Sequence, residues 1–410
     1  MNKITYAVVW LMVFIVPFEE RVSIEQFASI ARMLGYAALV LAFFAVIMQG
    51  GIRHPPATHI LLALFWAWSV ASLAWTISGE QSLARLPTYS ALLLFAWLIW
   101  EFAPTFIHQV LLLWAYILGY CVSLADEAFA FLHSGSGPQF SSDEGRLTGG
   151  GLNENDIAYV AAIVIPLVAF MALRVVKNRI LRIACWALIP LAAFGIVLTG
   201  SRGGTIALAA GMSVLLLSLR RATWGFRIMF VVAGLAGATL IMFLSPEQLL
   251  SRITEGAESH TLQLRQDIWT QAFRRWADSP ILGAGTGTFR LAVWGITGGF
   301  ISHNLFVTVI VETGIVGLAF YAGAALMTFY SVWRLPAEDR PFFLAVLVVW
   351  LLAAMVSPWE YNKSTWFLLS LVTTISVTKR AAASKQEKPA ARLPSVVMAS
   401  PLGGSRWRPT

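Results

Sequence analysis

Charge is scarce in this sequence. Only 12% of its 410 residues are charged, against 58% hydrophobic, with 17 Trp and 26 Phe. A soluble domain could not cover that much apolar surface, which leaves an integral membrane protein. Cysteine is scarcer still. Cys121 and Cys185 each lie inside an apolar run without CxxC spacing, so they imply neither a disulfide framework nor a zinc site, and the redox compartment stays open. With 21 acidic residues and 6 histidines spread along the chain, no dense Asp/Glu or His cluster suits a metal. No metal and no cofactor are expected. No clear internal repeat is visible either, which weighs against secondary transporters built from inverted repeats.

What the sequence has instead is apolar length. Runs able to cross a bilayer as helices, about 20 residues each, recur at 4 to 18, 27 to 49, 59 to 77, 86 to 100, 105 to 131, 154 to 173, 183 to 199, 203 to 219, 228 to 244, 303 to 332, 342 to 357 and 364 to 378. Lipid cannot satisfy backbone groups, and the runs lack the alternation of a β-barrel, so the expected fold is an all-α polytopic bundle of about twelve spans. The first run ends on Phe18, Glu19, Glu20 and Arg21 in place of small cleavage-site residues, and reads as an uncleaved span.

An even number of spans puts both termini on one side. With the amino terminus inside, the cytoplasmic segments collect Lys3, Arg53, Arg174, Lys177, Arg179, Arg182, Arg220, Arg221, Arg227, Arg334, Arg340 and the tail from Lys379. The other face holds Glu19, Glu20, Asp143, Glu144, Glu255 and Glu258. That asymmetry fits the positive-inside rule, so the net charge of +8 reports topology and no nucleic-acid partner is expected. The bundle should occupy residues 1 to 378. Residues 379 to 410, rich in Pro, Ser, Ala and basic side chains, read as a disordered basic cytoplasmic tail able to touch anionic lipid. Facing outward are 132 to 153, the turn "TGSRGG" at 199 to 204, and the long segment 245 to 302.

Three groups on that outer face invite chemistry. Arg202 stands in "LTGSRGGTIAL", where glycines permit a tight turn with bare backbone and the guanidinium offers a planar, permanently charged fork. It is either a ligand for an anion or an interfacial arginine reaching headgroups. Arg265, in "HTLQLRQDIWTQAFRRWADSP", shares a helical face with Ile268, Trp269, Ala272 and Trp276, opposite Arg274. A charge on a packing face is costly without a counter-charge, and no acid shares that face, which favours a phosphate ligand over a helix lying in the headgroup layer. His303, followed by Asn304, opens the next span, where a neutral imidazole can accept a proton or serve merely as an interfacial or capping group.

Trp269 and Asn304 are candidate substrate contacts beside them, and Arg146 in "RLTGGGLNENDIAYV" is a further cation for a diphosphate. Capping accounts for Asn153 and Asn155. "GAGTG" at 283 to 287 has nucleotide-like glycine spacing without a strand-turn-helix context and reads as a flexible connector. Asp126, Glu127 and Glu312, within or at the ends of spans, could belong to an ion pathway.

The "SRGG" turn between two spans, "RQDIWTQAFRRWADSPILGAGTGTF" in the long outer segment and "SHNLFVTVIVETGIVGL" at the following span together resemble the membrane module shared by bacterial O-antigen ligases, O-antigen polymerases and protein O-oligosaccharyltransferases. The resemblance covers about residues 140 to 320 in motif detail. It implies a GT-C type glycosyltransferase acting at the periplasmic face of the inner membrane, with a helical periplasmic segment between spans nine and ten. Its donor would be a glycan on undecaprenyl diphosphate and its acceptor, for the ligase, the lipid A core. By position Arg202, Arg265 and His303 match the family's essential residues. The long ninth-to-tenth connection and the lack of a large domain after the last span favour the ligase, with polymerase and protein O-oligosaccharyltransferase as alternatives. A polysaccharide or lipid transporter is the non-enzyme rival. It would need polar groups through the bilayer centre, whereas these candidates sit at the rim.

Overall fold

The computed structural model describes residues 2–18, 25–132, 154–199, 201–218, 259–293 and 301–387, and every regular element among them is helical. In chain order these are α1 (Asn2–Ile15), α2 (Glu25–Gln49), α3 (Ala57–Ala71), α4 (Gly79–Phe102), α5 (Phe106–Leu132), α6 (Glu154–Phe170), α7 (Arg179–Leu198) and α8 (Arg202–Ser218). There follow α9 (Ser259–Asp278), α10 (Phe289–Ala292), α11 (Leu305–Trp333), α12 (Arg340–Val356) and α13 (Lys363–Glu387).

Each predicted span coincides with a described helix except the ninth, 228 to 244, which lies outside the described residues. Among the described residues six helical stretches are long and apolar enough to cross a membrane, namely 57–74, 79–102, 106–129, 155–175, 179–198 and 305–333, and four shorter apolar helices accompany them. The protein is therefore an all-α membrane protein. The helical segment foreseen within 245 to 302 is α9, although Phe289–Ala292 adds one more turn.

Two boundaries differ from expectation. Helix α13 runs on to Glu387, so the stretch taken as the start of a disordered tail at 379 is helical. Its residues, "KRAAASKQE", are good helix formers, and Lys379 is anchored to the buried Asp339, which also binds Arg174 at 3.0 Å. Helix α11 begins at Leu305, because Asn304 caps it and His303 lies outside with φ 50°.

Helix α6 forms the centre. In its span 89% of the residues are buried, against 22% for α7. It packs between α7, α8 and α12, and Tyr159, Phe170 and the tryptophans Trp350, Trp359 and Trp366 lie fully inside. Hydroxyls link the helices where lipid offers no competitor: Thr373 reaches Thr58 at 3.2 Å, and Ser370 bonds both His59 at 2.8 Å and the Ala96 carbonyl at 2.8 Å.

The decisive local feature is a break in α11. Gly314 has φ 65° and ψ −170°, which interrupts the helical ladder. The segment after α9 fills the gap: the N–H groups of Ala284 and Gly285 donate to the carbonyls of Val311 and Glu312, both at 2.8 Å, and Ile315 N–H donates to the Pro280 carbonyl at 2.9 Å. Irregular backbone inside a membrane helix is tolerated only where protein satisfies it, and here the "GAGTG" stretch does so. That stretch is thus an ordered wedge and not a flexible connector. Its far side docks on the connection between α3 and α4 and on the start of α4, with Ile77 N–H donating to the Ala284 carbonyl at 2.9 Å and Ser82 Oγ to the Thr286 carbonyl at 2.6 Å. At Gly285, φ 108°, any side chain would collide with Thr76.

Gly314→Ala would drive a methyl into the Ile281 carbonyl at a left-handed backbone position. It is expected to lower stability by about 1–3 kcal/mol, read as a drop in the thermal unfolding midpoint in detergent. An unchanged midpoint would mean that the wedge is not held as described.

Candidate functional site

One end of the bundle gathers the starts of α6, α8, α11 and α13 with the end of α12. At the start of α8, Ser201 caps the helix: its Oγ accepts from Gly204 N–H at 3.1 Å and donates to Asn155 Oδ1 at 2.6 Å. Asn155 lies inside α6, so it serves as a tie to the Arg202 turn and does not cap its own helix. Arg202 is exposed at the first position of α8, and the next residue, Gly203, lies so close to the Tyr159 hydroxyl that a Cβ there would overlap it. Gly200 and Arg146 fall outside the described residues.

Helix α9 behaves as its pattern predicts. Ile268 and Ala272 are buried against Phe289, Val293, Val307 and Val311, while Arg274 is exposed. Arg265 is half-buried, and no hydrogen bond or carboxylate neutralises it among the described residues. Its charge is felt at two neighbours, Tyr159 and His303.

His303 sits in a turn clamped from both sides. Asn304 N–H donates to Ser302 Oγ at 3.0 Å and Ser302 Oγ donates to the Asn304 carbonyl at 2.8 Å. This holds His303 in the left-handed region, a conformation that costs roughly 1–2 kcal/mol for a non-glycine residue. Its Nδ1 is buried without a hydrogen-bond partner among the described residues. Burial, and secondarily the Arg265 guanidinium, hold the imidazole pKa below 6.5, so the ring is neutral at physiological pH.

Trp269 and Asn304, expected as substrate contacts, already spend their polar atoms on the scaffold. Trp269 Nε1–H donates to the Ser302 carbonyl at 2.8 Å, tying the Arg265 helix to the His303 turn. Asn304 Oδ1 accepts the N–H groups of Phe306 at 2.9 Å and Val307 at 3.1 Å, and its Nδ2 donates to the Met355 carbonyl at 3.1 Å. They position the site and leave little polar capacity for a ligand. Asn304→Ala should cost about 1 kcal/mol of stability through loss of the cap, measurable by thermal unfolding, and a neutral result would contradict that role.

Glu312, a candidate for an ion pathway, is a structural acceptor. Its two oxygens take the N–H groups of Gly287 at 2.8 Å and Phe289 at 3.0 Å and so hold the wedge to α11. Beside it stand groups the sequence reading passed over. Arg85 lies over the Tyr361 ring at 4.3 Å and within electrostatic reach of Glu312 and Glu360. Glu360 is 2% exposed, and burial first, Glu312 second, push its pKa up to about 8. Tyr159 packs edge-on against Trp359, with ring centroids 5.6 Å apart, and Trp359 Nε1–H donates to Asp156 at 2.6 Å. Their signals were slight: Arg85 stands one residue before a predicted span and Tyr159 lies inside one. Among the described residues no group of three or more His, Cys, Asp or Glu side chains could hold a metal.

These features define a polytopic helical membrane protein with a basic, histidine-bearing site at one end of its bundle. Residues 187–322, from α7 through the wedge into α11, match the family model described as O-antigen ligase. Over that stretch the chain is similar to the O-antigen ligase family. No curated protein matches the chain.

Proposed function

We propose that this protein is an O-antigen ligase, which transfers a glycan from undecaprenyl diphosphate to the lipid A core at the periplasmic face of the inner membrane. The observation that carries the reading is the pairing of a neutral His303, whose Nδ1 has no partner among the described residues, with Arg265, a half-buried guanidinium that meets no counter-charge among them. A base next to an unneutralised cation suits a reaction in which a hydroxyl loses a proton while an anion departs.

In this reaction the acceptor hydroxyl gives its proton to His303 as its oxygen attacks the anomeric carbon. The bond from that carbon to the diphosphate oxygen breaks, and the electron pair leaves with undecaprenyl diphosphate. Arg265 and Arg202 stabilise the charge as it develops, as planar forks matched to phosphate oxygens. Attack opposite the leaving group inverts the anomeric configuration. The reading assigns no metal a role.

The orientation rests on charge. Arg53, Arg174, Lys177, Arg179, Arg334, Arg340 and Lys379 all lie at the bundle end opposite this site, which the positive-inside rule would place in the cytoplasm with both termini. Polymerase is the second reading, since the donor chemistry and the leaving group are the same. Purified protein given undecaprenyl-diphosphate glycan with lipid A core separates the two from incubation with donor alone. Transfer to the core supports the ligase, growth of the donor glycan the polymerase, and neither product from either incubation would overturn the proposal.

A further inference from the structure

Tyr159 lies where the two arginine-bearing segments meet. It is one turn into α6 and 1% exposed, and its ring is braced by Trp359, itself fixed to Asp156. The hydroxyl reaches the backbone of Gly203, directly after Arg202, and Arg265 is near enough to act on it electrostatically. A phenol so placed has no hydrogen-bond partner among the described residues. The phenol is accompanied by the guanidinium groups of Arg202 and Arg265, neither of which meets a carboxylate among the described residues. Glycine at 203 leaves the space the hydroxyl occupies, since a Cβ there would overlap it. An anion with several acceptor oxygens would complete all three donors together.

We propose that Tyr159 is a further substrate-contacting residue, donating its phenolic hydrogen bond to a phosphate oxygen of the lipid diphosphate between the Arg202 turn and Arg265. This rests on the proposed function above and adds to it a donor that carries no charge. Arginines supply charge with some freedom of reach, whereas a rigidly packed phenol fixes where one oxygen sits. Its contribution therefore falls on binding of the donor and of the departing diphosphate, and leaves acceptor recognition untouched.

The test compares Tyr159→Phe, Gly203→Ala and the double variant, with undecaprenyl diphosphate as the binding probe. Tyr159→Phe keeps the ring against Trp359, so its unfolding midpoint should stay near that of the wild type. Its transfer rate should fall about 100-fold and undecaprenyl diphosphate should inhibit roughly tenfold more weakly, with the acceptor KM unchanged. Gly203→Ala displaces the hydroxyl and should reproduce this loss. Added to Tyr159→Phe it should do little more, because the new methyl then meets only the ring carbon, at 3.2 Å. Wild-type transfer and inhibition by Tyr159→Phe would overturn the assignment, as would fully additive losses. Should His303→Ala transfer glycan normally, the function reading fails instead, while the weakened diphosphate binding of Tyr159→Phe would still be measured independently.

Discussion

His303→Ala is expected to reduce glycan transfer by about two to four orders of magnitude while the protein still folds and inserts. The size follows from the role: a positioned base removes the acceptor proton in the transition state, and water cannot replace it in a half-buried turn. Folding should survive, since the side-chain Nδ1 makes no hydrogen bond whose loss would matter. The same assignment fixes a pH profile. Burial and Arg265 lower the imidazole pKa, so the functional form is the neutral one, present above that pKa. Activity should therefore be flat around neutrality and fall as pH drops through a value below 6.5, the ordinary value for histidine. Plots of kcat/KM against pH check this. An acidic limb at or above 6.5, or wild-type turnover by the Ala variant, would remove His303 from the chemistry.

The second large effect belongs to Arg265. Its replacement by Ala should cost about 10²- to 10³-fold in transfer, because the charge building on the diphosphate would lose a preorganised partner. Lys should restore only part of this, since a single point charge does not reproduce a planar fork. Full activity in Arg265→Lys would eliminate the bidentate part of the argument. Loss of the guanidinium also removes one of the two causes lowering the His303 pKa, so histidine NMR titration of Arg265→Ala should show that ring moving upward toward 6.5. A static His303 pKa would mean that the two side chains do not communicate.

Both effects involve polar residues that stood out in the sequence, Arg265 as a charge on an apolar packing face and His303 as an imidazole opening a span. Arg265 could be read from helical periodicity because Ile268 and Ala272 repeat on its face and are indeed buried there. Asn304 and Trp269 were legible as neighbours of the site but not as scaffold, since a side chain's hydrogen-bond partner depends on which backbone groups the fold brings near. Met355 and Ser302 supply those partners here. The "GAGTG" wedge was opaque for a related reason. Its order comes from carbonyls freed by the break at Gly314, and nothing in a local window pairs residues 280 to 285 with 311 to 315. Tyr159 and Arg85 had no sequence signal beyond a polar atom at a span boundary or inside it.

The sequence by itself determined that the chain is a helical membrane protein and where most of its helices run. Those are one-dimensional consequences of apolar length and charge placement, because lipid enforces helices wherever charge is excluded. Only the tertiary structure decided which helix forms the core, α6 or the equally apolar α7, since lipid and protein interior look alike to hydropathy. It alone also set His303 beside Arg265 and Tyr159 against the Arg202 turn. Those juxtapositions join residues far apart in the chain, and their energy exists only once packing has brought the helices together.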